Sequence, residues 1–411
     1  MALAGEKVGI PSADEAPMVV MARYKQPLAG ILSIVLVFVI SIITWWIFFD
    51  PRWHNPNPNP DIKMEITAWA TVIGGFGLIG VVWAIWFENW PYYNWFRTPW
   101  KVGLVGTAIN FVIIVIFTLL LLPWFTSIYG SEIIERGLPN DAYIAWFLGA
   151  SIFGALSGSC FSFAVLWVAG TMYWPFFKIK QPKRGIIVWI IGNAITLVVW
   201  FLLFIPAGER TAPSEVDAVK PITSFPSYAF SLGWTQWIIF FSLLTLMVFE
   251  YWPWSKLGRK QPFIGIIAFV SCVLLGLLVS YFFPIIVQNT FDLFFVAIGG
   301  TPPDYTPRLK GQYMMSITYA IFLICAVVLV SLFFDNWPKK YAQWKNFLFR
   351  FLLVIAIGTV TFLGYYLLSP IIFGDDPNYW LMNPTPFVLW FLWIEILFAY
   401  VWRKWPIYRA V

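Results

Sequence analysis

The chain alternates long apolar runs with short polar segments, and ten of these runs are long enough to cross a membrane. A helix that crosses the hydrocarbon core of a bilayer needs about 20 mainly apolar residues. The sequence therefore predicts an all-α polytopic membrane protein with ten transmembrane helices. Their approximate bounds are 28–49, 66–88, 102–123, 144–172, 185–206, 228–250, 263–285, 312–334, 348–370 and 386–402.

A Trp-Pro pair follows every second predicted span. Proline disfavours helix in the residue before it, and tryptophan prefers the headgroup level of a bilayer. We therefore expect each of these spans to end at its tryptophan, at one membrane surface. The pattern predicts five helical hairpins that are parallel repeats, each ending in Trp-Pro at the cytoplasmic interface. The hairpins lie near 28–91, 101–175, 185–253, 263–338 and 348–406, and their tryptophans are Trp90, Trp174, Trp252, Trp337 and Trp405.

The distribution of basic residues predicts the orientation of the chain. Residues 1–27 form a polar N-terminal tail, and 28–411 form a single transmembrane domain with a short C-terminal tail. With the N-terminus inside, 19 of the 26 Lys and Arg lie on the inner side. The positive-inside rule then places both termini in the cytoplasm. We expect a prokaryotic plasma (inner) membrane, anionic lipid at the cytoplasmic face, and no nucleic acid.

Composition limits the chemistry that this chain can carry alone. Hydrophobic residues make up 60% of it and charged residues 11%, which leaves no room for a large soluble domain. No Walker loop, dinucleotide fingerprint or nucleophile motif is present, so the sequence does not predict a self-contained enzyme. His54 is the only histidine, which excludes haem held by two histidines of this chain. We expect no bound cofactor and no metal.

Acidic side chains stand two residues before three of the tryptophans. Glu88, Glu250 and Asp335 occupy these positions, and basic residues follow each Trp-Pro pair. We expect each carboxylate to form an interfacial ion pair with the basic residues that follow it. Together with Trp90, Trp174, Trp252 and Trp337, these acids form a predicted interfacial anchor or inner gate.

A few polar residues fall deep within the predicted spans. Glu395 is the only charged residue in such a position, and an intramembrane carboxylate indicates a functional site by default. Asn110 and Asn193 each follow a span-initial proline by eleven residues, near the bilayer midplane. We expect these three to form one substrate-binding or coupling site. Trp393 lies near Glu395 in sequence, and Ser159 stands in a Gly- and Ser-rich span that favours close helix packing.

Two functions fit this pattern. The first is a transporter or channel for a small molecule or ion, acting alone or as a homo-oligomer. The second is a membrane-anchor subunit of a larger complex, including a respiratory complex that binds quinone in an aromatic pocket. A transporter needs its polar groups in a shared cavity, whereas an anchor needs an apolar contact surface on its outside.

Overall fold

The computed structural model describes residues 20–50, 73, 86–88, 90–125, 173–199, 228–257, 261–297, 308–372 and 384–410. The predicted spans near 66–88 and 144–172 lie almost wholly outside these ranges. The count of ten spans and five hairpins therefore stays a prediction.

The described part of the chain is almost entirely helical. Five of its helices are long and apolar enough to cross a membrane, which supports a membrane-embedded protein. In chain order the α-helices are α1 (Leu28–Phe49), α2 (Tyr92–Trp95), α3 (Pro99–Phe125), α4 (Lys183–Val199), α5 (Tyr228–Leu243), α6 (Phe263–Ala297), α7 (Arg308–Val328), α8 (Gln343–Ile372) and α9 (Pro384–Ile396).

The helices form an inner and an outer layer. In α7 and its continuation, 89% of the window Ser316–Phe333 is buried, against 22% of the outer windows Leu28–Phe49 and Gln343–Ser369. Helix α7 packs against α5, α6, α8 and α9, and α1 packs against α9. Helices α5, α7 and α9 are therefore the described inner layer. The outer helices present Leu, Ile, Val and Phe side chains outward, as lipid-facing helices do.

Tryptophan side chains connect neighbouring helices, both between the two layers and within the inner layer. An indole N–H that is buried in an apolar interior needs an acceptor, and small hydroxyls on neighbouring helices provide it. The pairs are Trp390 with Thr44 (3.0 Å), Trp402 with Thr107 (2.9 Å) and Trp237 with Ser316 (3.1 Å).

The inner helices end in a way that corrects the sequence-based expectation. Helices α5, α7 and α9 continue into single π-helical segments, Leu244–Val248, Leu329–Phe333 and Leu397–Val401, which end four residues before the tryptophan rather than at it. At the first, the Phe249 N–H donates to the carbonyl of Leu244, five residues back, at 2.9 Å. The next two residues, Glu250 and Tyr251, have φ of 52° and 65° and turn the chain out of the helix before Trp252.

Two short strands connect the first and last described segments. Strand β1 (Val20–Ala22) pairs antiparallel with β2 (Tyr408–Ala410), with Met21 opposite Arg409. Strand β2 begins three residues after Trp405. The pair therefore lies at the end of the bundle that carries the Trp-Pro pairs, which we call the Trp-Pro end.

Candidate functional site

Glu395 lies in the middle of the inner layer. It is on α9, two residues before the π-helical segment begins at Leu397, and its side chain has no exposed surface. The residues on either side of it, Ile394 and Ile396, are also buried. The sequence-based placement of a carboxyl group inside the bundle is therefore what the structure shows.

Glu395 forms no ion pair with a basic side chain among the described residues. Neither carboxyl oxygen meets a donor in hydrogen-bond geometry among the described residues. The thiol of Cys325, on the adjacent helix α7, faces this carboxyl group. A carboxylate without a counter-charge costs several kcal/mol in such an interior. A bound proton or cation would remove this cost.

Asn110 and Trp393 contact each other directly. The Trp393 indole donates to the Asn110 side-chain oxygen at 2.7 Å, and both residues are buried. The Trp393 ring also packs against Trp390, with ring centroids 4.7 Å apart. This bond connects α3 to α9 and gives Asn110 the interhelical partner that an amide in hydrocarbon requires.

The face of α9 that carries Trp393 differs from the face that carries Glu395. Successive helical residues are about 100° apart, so side chains two residues apart point in nearly opposite directions. Trp393 faces Asn110 of α3, whereas Glu395 faces Cys325 of α7. The Asn193 side chain and Ser159 lie outside the described residues. A single site that unites Glu395, Asn110 and Asn193 therefore stays a prediction.

The acids before the tryptophans form ion pairs, and the partners that the structure describes come from distant segments rather than from the bases that follow each acid. Glu88 pairs with Arg184 at 2.5 Å and Glu250 with Arg350 at 3.4 Å. Both partners come from segments about 100 residues further along the chain. In the described part of the chain, the turn directs these two acids toward the start of another span, so their described partners differ from those expected from the sequence.

Asp335 is the centre of a polar cluster at the Trp-Pro end. It accepts hydrogen bonds from Lys404 at 2.7 Å, from the Tyr408 hydroxyl at 2.5 Å and from Gln26 at 2.9 Å. Burial lowers the pKa of Lys404, while Asp335 acts in the opposite direction. Burial and the bond to Asp335 both raise the pKa of Tyr408. This cluster connects the two ends of the described chain.

A recurrent carbonyl cap accompanies these ion pairs. At Trp90, Trp252 and Trp337, the carbonyl four residues before the tryptophan has no helical donor among the described residues, because the chain turns away there. Three side chains from distant segments donate to it: Gln26 to Phe333 (2.9 Å), Gln181 to Trp86 (2.9 Å) and Arg350 to Val248 (3.3 Å). The repeated Gln-Pro at 26–27, 181–182 and 261–262 is the sequence signal that could have indicated this role.

The tryptophans of the Trp-Pro pairs differ in exposure. Trp174 is 40% exposed, whereas Trp90, Trp252 and Trp337 are half-buried. The Trp252 ring packs against Phe347 of α8, with centroids 5.7 Å apart, and Trp337 packs edge-on against Phe349 at 5.9 Å. These rings therefore contribute to helix packing, and their predicted role as an interfacial anchor or gate stays a prediction.

Within the described ranges, no group of three or more His, Cys, Asp or Glu side chains is placed to hold a metal ion. The chain matches no protein-family model, and neither the curated proteins nor the solved structures yield a similar protein.

Proposed function

We propose that the protein is a multi-pass membrane transporter or channel for a small molecule or ion, and that Glu395 carries its coupling proton or cation. The observation that supports this proposal is the fully buried carboxyl group in an inner helix, which has no basic partner among the described residues and only the Cys325 thiol beside it. Such a group is costly to keep, and ion pathways and proton relays are its usual context in membranes.

The wider organisation belongs to the same proposal. Ten spans in five parallel hairpins would surround the Glu395 region, with both termini in the cytoplasm of a prokaryotic cell. Anionic lipid would contact the Trp-Pro end, where Lys101, Lys178 and Lys345 each lie within 6 Å of a neighbouring aromatic ring. Lys side chains that extend from an aromatic belt are placed to meet lipid phosphates.

Proton movement in liposomes tests the role of Glu395. Purified protein is reconstituted with a pH-sensitive dye inside the vesicles, and a potassium diffusion potential supplies the driving force. We expect Glu395→Gln to abolish the proton movement of the unmodified protein, because an amide cannot release a proton. Glu250→Gln, which changes a half-exposed carboxylate at the Trp-Pro end, is the matched control and should retain it.

Infrared difference spectroscopy tests Glu395 even if proton movement requires a transported substrate that the liposome assay lacks. A buried carboxyl group that binds and releases a proton gives a carbonyl band that changes with pH. We expect this band in the unmodified protein and in Glu250→Gln, and its loss in Glu395→Gln. A full set of pH-dependent carboxyl bands in Glu395→Gln would contradict the proposed role.

A second candidate is a membrane-anchor subunit that binds quinone. It is supported by an aromatic cluster between α1 and α9, in which Trp45 lies 5.4 Å from Phe387 and Phe49 lies 5.0 Å from Trp390. Flat rings of this kind suit a quinone headgroup. Native mass spectrometry of protein extracted gently from its own membrane separates the two. Companion subunits in fixed ratio would favour the anchor, and a monomer or homo-oligomer would favour the transporter.

A further inference from the structure

Three segments of the chain share the pattern Gln-Pro-x-x-Gly. They are Gln26–Gly30, Gln181–Gly185 and Gln261–Gly265, and each stands at the start of an outer helix. We call them entries. In all three, the glutamine side-chain oxygen accepts the backbone N–H of the glycine, at 3.1 to 3.2 Å. This bond satisfies one of the free donors of the helix N-terminus.

Two entries dock on a Trp-Pro turn of another hairpin. A Trp-Pro turn is a Trp-Pro pair together with the five residues before it, such as 332–338. Gln26 caps the Phe333 carbonyl, and Gly30 lies so close to Phe334 that a Cβ would be 2.4 Å from its ring. Gln181 caps Trp86 in the same way, and a Cβ on Gly185 would lie 2.5 Å from the Phe87 ring. The turns concerned are those of Trp337 and Trp90. The glycine is required because the aromatic ring occupies the space of a side chain.

The third entry is buried in the same way. Over ten residues, 181–190 and 261–270 alternate between buried, half-buried and exposed positions in the same order. Gly265 and Ala268 are buried, as Gly185 and Val188 are in the second entry. A docking surface equivalent to the turn of Trp90 would bury an outer helix in this order.

Each docked span lies two hairpins after its turn, counted cyclically along the five predicted hairpins. The turn of Trp90, in the first, holds the third-hairpin entry at Gln181. The turn of Trp252, in the third hairpin, holds α8 of the fifth hairpin through Arg350.

The count continues from the last hairpin to the first. The turn of Trp337, in the fourth hairpin, holds the first-hairpin entry at Gln26. The turn of Trp405 holds α3 of the second, where a Cβ on Gly103 would lie 2.3 Å from the Trp402 ring. The turn of Trp174 and the entry at Gln261 are the remaining pair.

A second set of hydrogen bonds joins the Trp-Pro turns of hairpins that follow each other in the chain. The residue just before the tryptophan of one turn donates to the carbonyl five residues before the tryptophan of the preceding turn. Asn336 donates to Met247 at 2.8 Å, and Lys404 donates to Leu332 at 2.8 Å. The turns of Trp252, Trp337 and Trp405 are therefore neighbours in that order, as they would be in a ring.

We propose that the entry Gln261–Gly265 docks on the turn of Trp174, and that the five Trp-Pro turns thereby form a closed belt around the inner helices. Each turn then holds the outer helix from the hairpin two places further along. The belt is independent of the role proposed for Glu395. It frames the Trp-Pro end of the inner layer, where any path through the inner helices would open.

Paired cysteines test the missing contact in the full-length protein, with Cys160, Cys272 and Cys325 replaced by alanine. The test pair is Tyr173→Cys with Phe263→Cys. The matched positive pair, Asn336→Cys with Leu28→Cys, occupies the same positions in a turn and entry whose docking the structure shows. The negative pair is Tyr173→Cys with Leu28→Cys, which a five-membered ring places two turns apart. A short bismaleimide is added to native membranes, and linked protein is measured by its gel shift.

We expect the test pair to link with a yield close to that of the positive pair, and the negative pair to remain unlinked. A positive pair that links while the test pair does not would overturn the proposal, as would equal linking of the negative pair. If the cysteine-free background does not fold, amine crosslinking of the unmodified protein replaces it. A Lys178–Lys260 link, at a yield comparable to the Lys25–Lys340 link of the docked entry, would support the proposal. Its absence beside that link would overturn it.

Discussion

Adding one methyl group at Gly30 tests how tightly an outer helix is held by a Trp-Pro turn. A Cβ at this position would lie 2.4 Å from Cδ1 and 2.7 Å from Cε1 of the Phe334 ring. Carbon atoms that are not bonded normally approach to about 3.5–4 Å, so the ring must move by roughly 1 Å. Phe334 is only 7% exposed and has little space to move into.

The expected loss of stability in Gly30→Ala comes from overpacking against the Phe334 ring. Extra methyl groups in a close-packed interior destabilise by about 1–3 kcal/mol, whereas exchange of Gly for Ala in a helix recovers at most about 1 kcal/mol. We therefore expect Gly30→Ala to lower the free energy of unfolding by about 1–2 kcal/mol. The measurement is unfolding in mixed micelles with increasing dodecyl sulfate, followed by circular dichroism.

A matched control is available in the same protein. Gly364 is also helical, and a Cβ there would meet nothing within 4 Å. Gly364→Ala should therefore leave stability unchanged or raise it slightly. Replacing Phe334 by Leu in the Gly30→Ala background should recover part of the loss, because the shorter side chain leaves room for the methyl group. Equal stability of the two alanine variants would refute the close approach of α1 to this turn.

Three further predictions concern polar contacts. Tyr408→Phe should lower the free energy of unfolding by about 1 kcal/mol near neutral pH, because Asp335 loses a donor. Since folding raises the pKa of Tyr408, the stabilisation by this residue is complete below about pH 10 and declines above it. Unfolding measured against pH should show this decline in the unmodified protein and not in the variant. Glu88→Gln should lower the free energy of unfolding by less than about 1 kcal/mol, and Asp335→Asn should lower it clearly more. The Glu88 carboxylate is 50% exposed and has one ion-pair partner among the described residues, whereas Asp335 accepts three hydrogen bonds. Chemical denaturation that ranks the two variants the other way would contradict this prediction. Asn110→Leu and Trp393→Phe should each destabilise, and a double-mutant cycle should give a coupling of about 0.5–2 kcal/mol; a coupling of zero would mean that their bond contributes nothing.

Hydrophobicity placed the helices in a membrane but did not show which are central. The windows in α1 and α7 have mean hydropathies of 2.7 and 2.5, yet 22% of the first and 89% of the second is buried. Both are apolar on every side, so no amphipathic stripe distinguishes a lipid-facing helix from an enclosed one. The bounds of α1 agree with the sequence-based span, because length and hydropathy alone define them.

The sequence identified site residues whose type alone makes burial unfavourable, and it missed contacts between residues that are far apart in the chain. Glu395 could be identified from sequence because a carboxyl group within an apolar run is costly wherever it lies. The Asn110–Trp393 bond and the Gln26–Phe333 cap could not, because neither pattern specifies which helices are neighbours. The ends of α5, α7 and α9 were placed too late, since a proline reports only on the residue before it and not on a π-helical segment further back.

The cap that Gln26 places on Phe333 also constrains how the protein is made. The two residues are 307 positions apart in the chain, so the acceptor does not exist when α1 enters the membrane. At about 5–20 residues per second, ribosomal synthesis needs roughly 15–60 s to supply it. During this interval the first helix resides in lipid without its permanent neighbour, and the biosynthetic order of the helices differs from their spatial order. Completion of the bundle therefore depends on a late event, the arrival of the final third of the polypeptide.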